Sequence, residues 1–219
     1  MADTADVKEL IQSAPFELSA SDKATLLMRE QDFAPHTWDD IKQVIANGDL
    51  SVLKRGPADL RNYIVWTRDI RATYGSVMHY VLRERLHWGP PVDGRLPCTD
   101  PVPFAHATDY RILRNDWPYG TTPDITHLVV WLKTPLSVDN DGDPTPESKQ
   151  LVANFLRKTI PFAEERSDRL LWFKNREHWQ SVRAIEHIHV LLRGADNTVV
   201  TSLTGQAPED LSCRTYTPR

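Results

Sequence analysis

Apolar residues in the first 90 positions recur with the three- and four-residue spacing of amphipathic helices. Between residues 37 and 48, four apolar side chains fall at helical intervals behind Thr37, a preferred N-cap residue, and Gly48 follows as a helix terminator. A longer pattern starts at Pro57, which suits the first turn of a helix, and continues to Gly75. This part of the chain therefore predicts a layer of helices.

The pattern changes after a proline-rich stretch at residues 89–103, which we interpret as a loop and a boundary. β-branched and aromatic residues then occur in short runs that predict four strands, at residues 109–116, 125–133, 169–175 and 185–193. A helical pattern from about Thr145 separates the second strand from the third. Because the other connections are short, we expect an antiparallel sheet with a helix packed on it.

The two halves together predict an α+β fold, with an N-terminal helical layer followed by an antiparallel β-sheet and a packed helix. We expect a helical region at residues 1–90 packed on the core, an α+β core at residues 104–194 and an irregular C-terminal tail at residues 195–219. A chain of 219 residues with 40% hydrophobic content is long enough to bury a sizeable core.

Charge and composition exclude some classes of partner. The formal net charge is -4, so no overall basic excess indicates nucleic acid. No apolar run approaches the roughly 18 residues of a membrane span, and the N-terminus carries acidic residues and no apolar signal segment. We therefore predict a cytoplasmic protein with no nucleic-acid partner and no membrane partner.

Two histidines stand out in the last predicted strand, which reads IEHIHVLLR. Side chains alternate between the faces of a strand, so His187 and His189 share one face, about 6.6 Å apart. The opposite face carries Glu186 and three aliphatic residues, and it is the more apolar of the two. We therefore expect both imidazoles to point away from the core, into a cleft that holds an anionic group. Glu186 would then need a partner, for which Arg183 is a candidate.

Four interpretations of this histidine pair are open from the residues alone. The rings can be two metal ligands, with His127 as a third, a nucleophile with a helper, a pair of phosphate contacts, or a hydrogen-bonded pair without chemistry. The sequence has no tight cluster of further metal ligands and no Gly-X-Ser-X-Gly motif of a serine hydrolase. We therefore predict no metal and no cofactor. Trp117 or Trp179 is a candidate to stack on a base or a sugar.

Three long segments resemble the fungal N-acetylglucosamine-induced protein 1 family. They are RNYIVWTRDIRATYGSVMHYVLRERLHW, NDWPYGTTPDITHLVVWLK, and LLWFKN followed by QSVRAIEHIHVLLR. The resemblance covers nearly the whole chain. The family is one of unknown function, and its name refers to induction by an amino sugar without naming a reaction.

Residues 109–194 also resemble, more distantly, the histidine-triad (HIT) superfamily of nucleotide hydrolases and transferases. Five features carry this resemblance: a turn, a strand from histidine to lysine, an asparagine after the third strand, a Gln-Ser-Val segment and a histidine pair. In this sequence they are, in the same order, Asn115 to Pro118, His127 to Lys133, Asn175, Gln180 to Val182, and His187 with His189. The chain departs from the family pattern at Ile185, where the first triad histidine would stand, and at Leu132, where a proline is usual.

The HIT resemblance implies a role for each matching residue. His187 would be the catalytic nucleophile that attacks phosphorus, and His189 would contact phosphate. Further ligand contacts would come from residues around that face, namely Asn115, Asp116, His127, Asn175, Gln180, Ser181 and Arg193. A backbone carbonyl can hold the second ring nitrogen of the nucleophile in HIT proteins, so Ile185 weakens the catalytic role without excluding it.

The prediction that follows is a HIT-like nucleotide- or phosphoester-binding protein, a candidate nucleotidyl hydrolase or transferase that uses His187. Its expected partner is a small molecule that carries phosphate. The link to amino-sugar metabolism comes from the family name alone, and the HIT resemblance allows a homodimer. The first alternative is a non-catalytic ligand-binding or regulatory protein on the same fold. The second is a metal-dependent enzyme that uses His127, His187 and His189.

Overall fold

A computed structural model describes residues 4–163, 167–176, 182 and 185–207. The described residues fall into two compact units. The first contains Thr4–Val77 together with Asp116–Thr122, and the second contains Met78–Asn115 and the described residues from Pro123 to Ala207.

The first unit is built from helices whose ends the sequence encodes. They are α1 (Thr4–Gln12), α2 (Ala20–Leu27), α3 (Trp38–Asn47) and α4 (Pro57–Tyr74). Thr37 and Asp40 form a reciprocal capping box at the start of α3, and Gly48 ends that helix in the left-handed conformation, at φ 70°. Pro57 occupies the first turn of α4, as the sequence predicts.

The segment Asp116–Thr122 adds a tryptophan to the aromatic core of the first unit. The ring centroid of Trp117 lies 5.6 Å from that of Tyr63 and 5.5 Å from that of Trp66. Gly120 follows, and a Cβ atom at this position would lie 2.5 Å from the Phe33 ring. Only glycine fits this close approach without displacing the neighbouring ring.

The second unit contains the sheet. Its strands are β1 (Tyr110–Arg114), β2 (Ile125–Leu132), β3 (Leu170–Phe173) and β4 (Glu186–Arg193). The remaining α-helices are α5 (Val77–Tyr80), which continues into a π-helical turn at Val81–Leu86, α6 (Pro146–Thr159) and α7 (Asn197–Thr204).

The four strands form one antiparallel sheet in the order β1-β2-β4-β3. The register pairs Trp131 with Arg111 on one side and with His187 on the other. In the same sheet, His189 pairs with Val129 on β2 and with Phe173 on β3. This register decides which side chains meet on each face of the sheet.

One face of the sheet packs on α6 and forms the core of the second unit. The strands contribute Leu128, Val130, Ile188, Val190 and Leu192, and α6 contributes Val152, Phe155 and Leu156. These strand positions alternate with the histidines of β4, so the histidines project from the opposite face. The predicted orientation of β4 relative to the core is therefore confirmed.

The α+β fold, the antiparallel sheet and the packed helix are confirmed. The tail from residue 195, predicted to be irregular, instead contains α7, whose N-cap Asp196 accepts a hydrogen bond from the N–H of Thr198. The compact units divide the chain differently from the predicted domain boundaries at residues 90, 104 and 194, which stay a prediction. No helix in the described part of the chain combines the length and the apolar character needed to cross a membrane.

Candidate functional site

Two histidines and two asparagines form a hydrogen-bonded network on the face of the sheet opposite α6. Nε2 of His127 lies 2.9 Å from Nδ1 of His189, and both residues are buried. The side-chain amide nitrogen of Asn175 lies 3.1 Å from Nε2 of His189. The amide nitrogen of Asn115 lies 3.2 Å from Nε2 of His127. This network therefore connects the residue after β1, through β2 and β4, to the residues that follow β3.

The amide groups determine which ring nitrogens in this network carry protons. If Asn175 donates to Nε2 of His189, that nitrogen is an acceptor and the ring carries its proton on Nδ1. Nδ1 of His189 then donates to Nε2 of His127, which also accepts from Asn115. In this arrangement both imidazoles are neutral, the single lone pair on Nε2 of His127 is shared between two donors, and the orientation of each ring is fixed.

His187 is held separately, by the backbone. Its Nδ1 atom lies 2.8 Å from the carbonyl oxygen of Ile185, which can accept a hydrogen bond from a protonated Nδ1. The lone pair is then on Nε2, the other ring nitrogen. The ring centroid of His187 lies 4.7 Å from the Trp131 ring and 5.4 Å from the His189 ring.

Burial keeps His187 uncharged at neutral pH. Desolvation of the buried ring lowers its pKa from 6.5 to about 4, although the hydrogen bond to Ile185 acts in the opposite direction. The positive charge of Lys174 lowers the pKa further. A neutral imidazole with an available Nε2 lone pair is the form that acts as a nucleophile.

Next to His187 along β4, Glu186 forms a largely buried ion pair. Its carboxylate oxygen Oε1 lies 3.3 Å from Nζ of Lys174, which follows β3. Burial raises the pKa of Glu186, and Lys174 partly offsets that effect. The predicted partner Arg183 lies outside the described residues, so Lys174 is the partner that the structure provides.

Residues 37–193 match the family described as protein of unknown function (DUF3605). The chain belongs to this family. The match includes α3 and α4 of the first unit and all four strands of the second, so the DUF3605 region spans both compact units.

Two curated proteins are similar to this DUF3605 protein over most of its length. N-acetylglucosamine-induced protein 1 of Candida albicans is 29% identical over 198 residues, covering 83% of this chain and 78% of the relative. An uncharacterized protein of Saccharomyces cerevisiae, YPL067C, is 30% identical over 157 residues, covering 71% of this chain and 77% of the relative. The resemblance to the N-acetylglucosamine-induced protein 1 family is therefore confirmed, and the resemblance to the HIT superfamily stays a prediction.

A solved structure is also similar to the DUF3605 chain. The protein described in "Crystal Structure of HTC1" superposes with a TM-score of 0.57 at 26% sequence identity. The similarity covers 82% of this chain and 92% of that one, so the two proteins share the α+β fold across most of their length.

The structure brings together five of the predicted site residues of the DUF3605 protein, and all five lie in the second unit: His187, His189, His127, Asn115 and Asn175. The alternation of side chains along β4 was enough to place His187 and His189 on the same face of the strand. The contact between His127 and His189 depends on the register between β2 and β4, which the sequence does not state.

The expectation that the two rings of β4 line an open cleft is wrong. Only 5% of the surface of His187 and 7% of that of His189 is accessible to solvent. Phe173 stacks on His189 with ring centroids 5.0 Å apart, and Trp131 covers part of His187. The pairing of β2 and β3 with β4 places these rings beside the histidines, and periodicity within a single strand does not show such neighbours.

Arg193 is not brought to the histidines. It lies at the far end of β4, about 20 Å along the strand from His187 at the usual rise per residue, and its guanidinium is 3.4 Å from Asp168. Asp116 belongs to the first compact unit. Gln180 and Ser181, the remaining predicted ligand contacts, lie outside the described residues.

The aromatic residue next to His187 is Trp131, whereas the sequence suggested Trp117 or Trp179 for stacking on a ligand. Trp117 is buried in the aromatic core of the first unit. Trp179 lies outside the described residues. Trp131 could have been found from the sequence only by pairing β2 with β4 in the correct register.

The arrangement of the rings differs from a metal site. Two nitrogen ligands on one tetrahedral zinc ion lie roughly 3.3 Å apart, as follows from zinc–nitrogen distances near 2.0 Å. Nε2 of His127 and Nδ1 of His189 are closer, at 2.9 Å, and are directed at each other as a hydrogen bond requires. Within the described residues no group of three side chains could hold a metal ion.

Proposed function

We propose that this protein binds a phosphate-bearing small molecule and that His187 attacks its phosphorus, which makes the protein a HIT-like hydrolase or nucleotidyltransferase. The observation that supports this proposal most directly is the 2.8 Å contact between Nδ1 of His187 and the carbonyl oxygen of Ile185. This hydrogen bond orients the imidazole for nucleophilic attack, so that the first histidine of a triad is not needed for that role.

The proposed reaction has two steps at His187. In the first, the Nε2 lone pair forms a bond to phosphorus, the bond from phosphorus to the leaving group breaks, and the leaving group takes a proton from solvent. In the second, water attacks the phosphorus and releases a proton. The nitrogen–phosphorus bond breaks, and its electron pair returns to Nε2. The proton on Nδ1 stays on the ring throughout and is donated to the Ile185 carbonyl oxygen, which stabilises the positive charge of the ring while Nε2 is bonded to phosphorus.

The hydrogen-bonded network of His127, His189 and the two asparagines would keep the surroundings of His187 rigid. His189 lies beside the reacting ring and is fixed through both of its ring nitrogens. A fixed polar group needs little reorganisation when negative charge moves on the phosphoryl oxygens. The element order of the sheet, strand-strand-helix-strand-strand, also agrees with the HIT resemblance.

A second candidate function is favoured by the burial of His187. Because only 5% of the surface of His187 is accessible, a ligand can contact the ring only if the neighbouring side chains move. A protein that binds a phosphorylated ligand on this face without covalent chemistry, as a sensor or a regulator, would retain the fold and the histidine network. Turnover separates the two candidates.

The decisive experiment is to trap phosphohistidine. The purified protein is incubated with nucleoside phosphoramidates, nucleoside diphosphate sugars, dinucleoside polyphosphates and amino-sugar phosphates. The last class is included because the Candida albicans relative is named for induction by N-acetylglucosamine. An acid-labile phosphoryl or nucleotidyl adduct on His187, found by mass spectrometry of rapidly quenched samples, is the expected result.

Two variants make the outcome specific. His187→Asn should abolish both the adduct and turnover. His87→Asn, an exposed residue in the left-handed conformation that asparagine tolerates, should retain both. Circular dichroism of each variant checks folding. Binding of the panel without adduct or turnover would reject the enzyme and support the second candidate.

A further inference from the structure

Three side chains of different chemistry form one row across the sheet. Arg111 on β1 pairs with Trp131 on β2, and Trp131 pairs with His187 on β4. Residues paired in this way project from the same face. The row therefore places an exposed cation, a partly exposed indole and a buried imidazole in order, on the face opposite α6.

The hydrogen-bond pattern fixes the spacing of this row. The N–H of Lys133 donates to Asp109 and the N–H of Asn115 donates to His127, so Arg111 and Trp131 lie between them as a hydrogen-bonded pair. The backbone of Trp131 is thus directed to β1, which leaves Trp131 and His187 as a non-hydrogen-bonded pair. The two kinds of pair have Cα atoms about 5.5 Å and about 4.5 Å apart, so the row spans roughly 10 Å from Arg111 to His187.

Arg111 has the freedom to bind an anion. Its side chain is exposed, and its contact with the carbonyl oxygen of Leu86 is 3.5 Å, at the outer limit of a hydrogen bond. Lys133, the next residue on the same face of β2, is instead 3.3 Å from the buried carboxylate of Asp109. The charge of Lys133 is therefore already compensated.

The Arg111 end of the row is accessible, because β1 is the first strand in the order of the sheet and the Arg111 side chain is exposed. Trp131 is partly exposed, so its indole is available for contact with a flat surface.

We infer that the ligand of this protein carries a second anionic group, which binds Arg111 while a ring of the ligand lies on Trp131 and its reacting phosphate meets His187. The ligand class is a phosphoester with a sugar ring or an aromatic ring between two anionic groups. This inference deepens the proposed function and depends on it for the phosphate at His187. It makes Arg111 and Trp131 specificity-determining residues.

The test compares probes with one and two phosphates on the same ring. Affinities of glucose 6-phosphate, glucose 1-phosphate and glucose 1,6-bisphosphate are measured by calorimetry on the intact protein. Because a charge-assisted hydrogen bond contributes about 1.5–3 kcal/mol, the bisphosphate should bind at least about tenfold more tightly than either monophosphate. Arg111→Gln should remove this difference.

A matched control and a second variant complete the design. Arg157→Gln makes the same charge change on α6, which packs on the other face of the sheet, and should preserve the preference for the bisphosphate. Trp131→Leu should weaken all three probes by a similar factor. Circular dichroism again checks that the variants fold.

Two results would overturn the inference. In the first, the bisphosphate and the monophosphates bind equally, or Arg111→Gln and Arg157→Gln behave alike. In the second, none of the three probes binds at millimolar concentration. The proposed function is judged separately by the adduct on His187, so an adduct without any preference for two phosphates would reject the ligand class and retain the nucleophile.

Discussion

At the scale of single residues, the environment of His187 defines the site. A buried imidazole has lost the solvation that stabilises its charged form, and its one backbone hydrogen bond selects a tautomer. The ring is therefore a neutral base with a fixed lone pair. The same desolvation makes His187 a group on which folding stability depends as pH falls.

The stability of the protein should decrease between about pH 6.5 and about pH 4 because of His187. The pKa of this ring is about 4 in the folded protein and near 6.5 in the unfolded chain, so the unfolded chain binds more protons across that interval. The contribution is fully present above pH 6.5 and is lost as pH approaches 4. A shift of this size corresponds to roughly 3 kcal/mol.

Chemical denaturation at about pH 7 and about pH 4.5 measures this effect. The wild-type protein should lose roughly 2 kcal/mol more of its free energy of unfolding than His187→Asn does over that interval. Equal losses in the two proteins would show that His187 is not desolvated in solution.

The sequence predicted the contacts of a side chain well when the interacting residues are close in sequence, and poorly when they are far apart. Alternation along β4 correctly placed His187 and His189 on one face, because that rule is local. The hydrogen bond from His127 to His189 joins residues 62 positions apart, and the contact of Trp131 with His187 depends on strand register. Long-range neighbours of this kind bury the rings of His187 and His189. Sequence periodicity does not show such neighbours, so it predicted exposed rings where the structure has buried ones.

At the scale of elements, local chemistry determined most of the boundaries. Thr37 and Gly48 delimit α3 as predicted, and β2 and β4 begin and end within a residue or two of the runs that indicated them. The helix α7 was not predicted, because its eight residues make little more than two turns and five of them are the β-branched residues valine and threonine, which favour strands. Its N-cap Asp196 is the local signal that could have indicated it.

The capping box of α3 provides a direct test of this local encoding. The side chain of Thr37 accepts a hydrogen bond from the N–H of Asp40 at 3.2 Å, and Asp40 accepts one from the N–H of Thr37 at 2.8 Å. Thr37→Ala should destabilise the protein by about 1 kcal/mol, because one backbone donor of the first turn loses its partner.

The measurement is thermal and urea denaturation followed by circular dichroism, with Thr37→Ser as the matched control that retains the hydroxyl. The serine variant should remain close to the wild type. A serine variant as unstable as the alanine variant would assign the effect to the lost methyl group and not to the cap.

At the scale of the whole molecule, the DUF3605 match includes helices of the first compact unit as well as the sheet of the second. The family is therefore defined by more than its sheet. The sequence predicted the change from helices to strands correctly. It did not predict that Asp116–Thr122, which lies between β1 and β2, would contribute a tryptophan to the aromatic core of the first unit. Such a contribution depends on where the chain travels in space, which local patterns do not encode.

The separation of the two sheet faces has a consequence for how variation is tolerated along β4. In a library of all single substitutions, polar replacements at Ile188, Val190 and Leu192 should reduce the cellular abundance of the protein. Replacements at His187 and His189 should reduce the phenotype that depends on the protein more than they reduce abundance. The effect on abundance and the additional effect on phenotype would then alternate from residue to residue along β4. A phenotype profile that matched the abundance profile would mean that β4 has only a structural role.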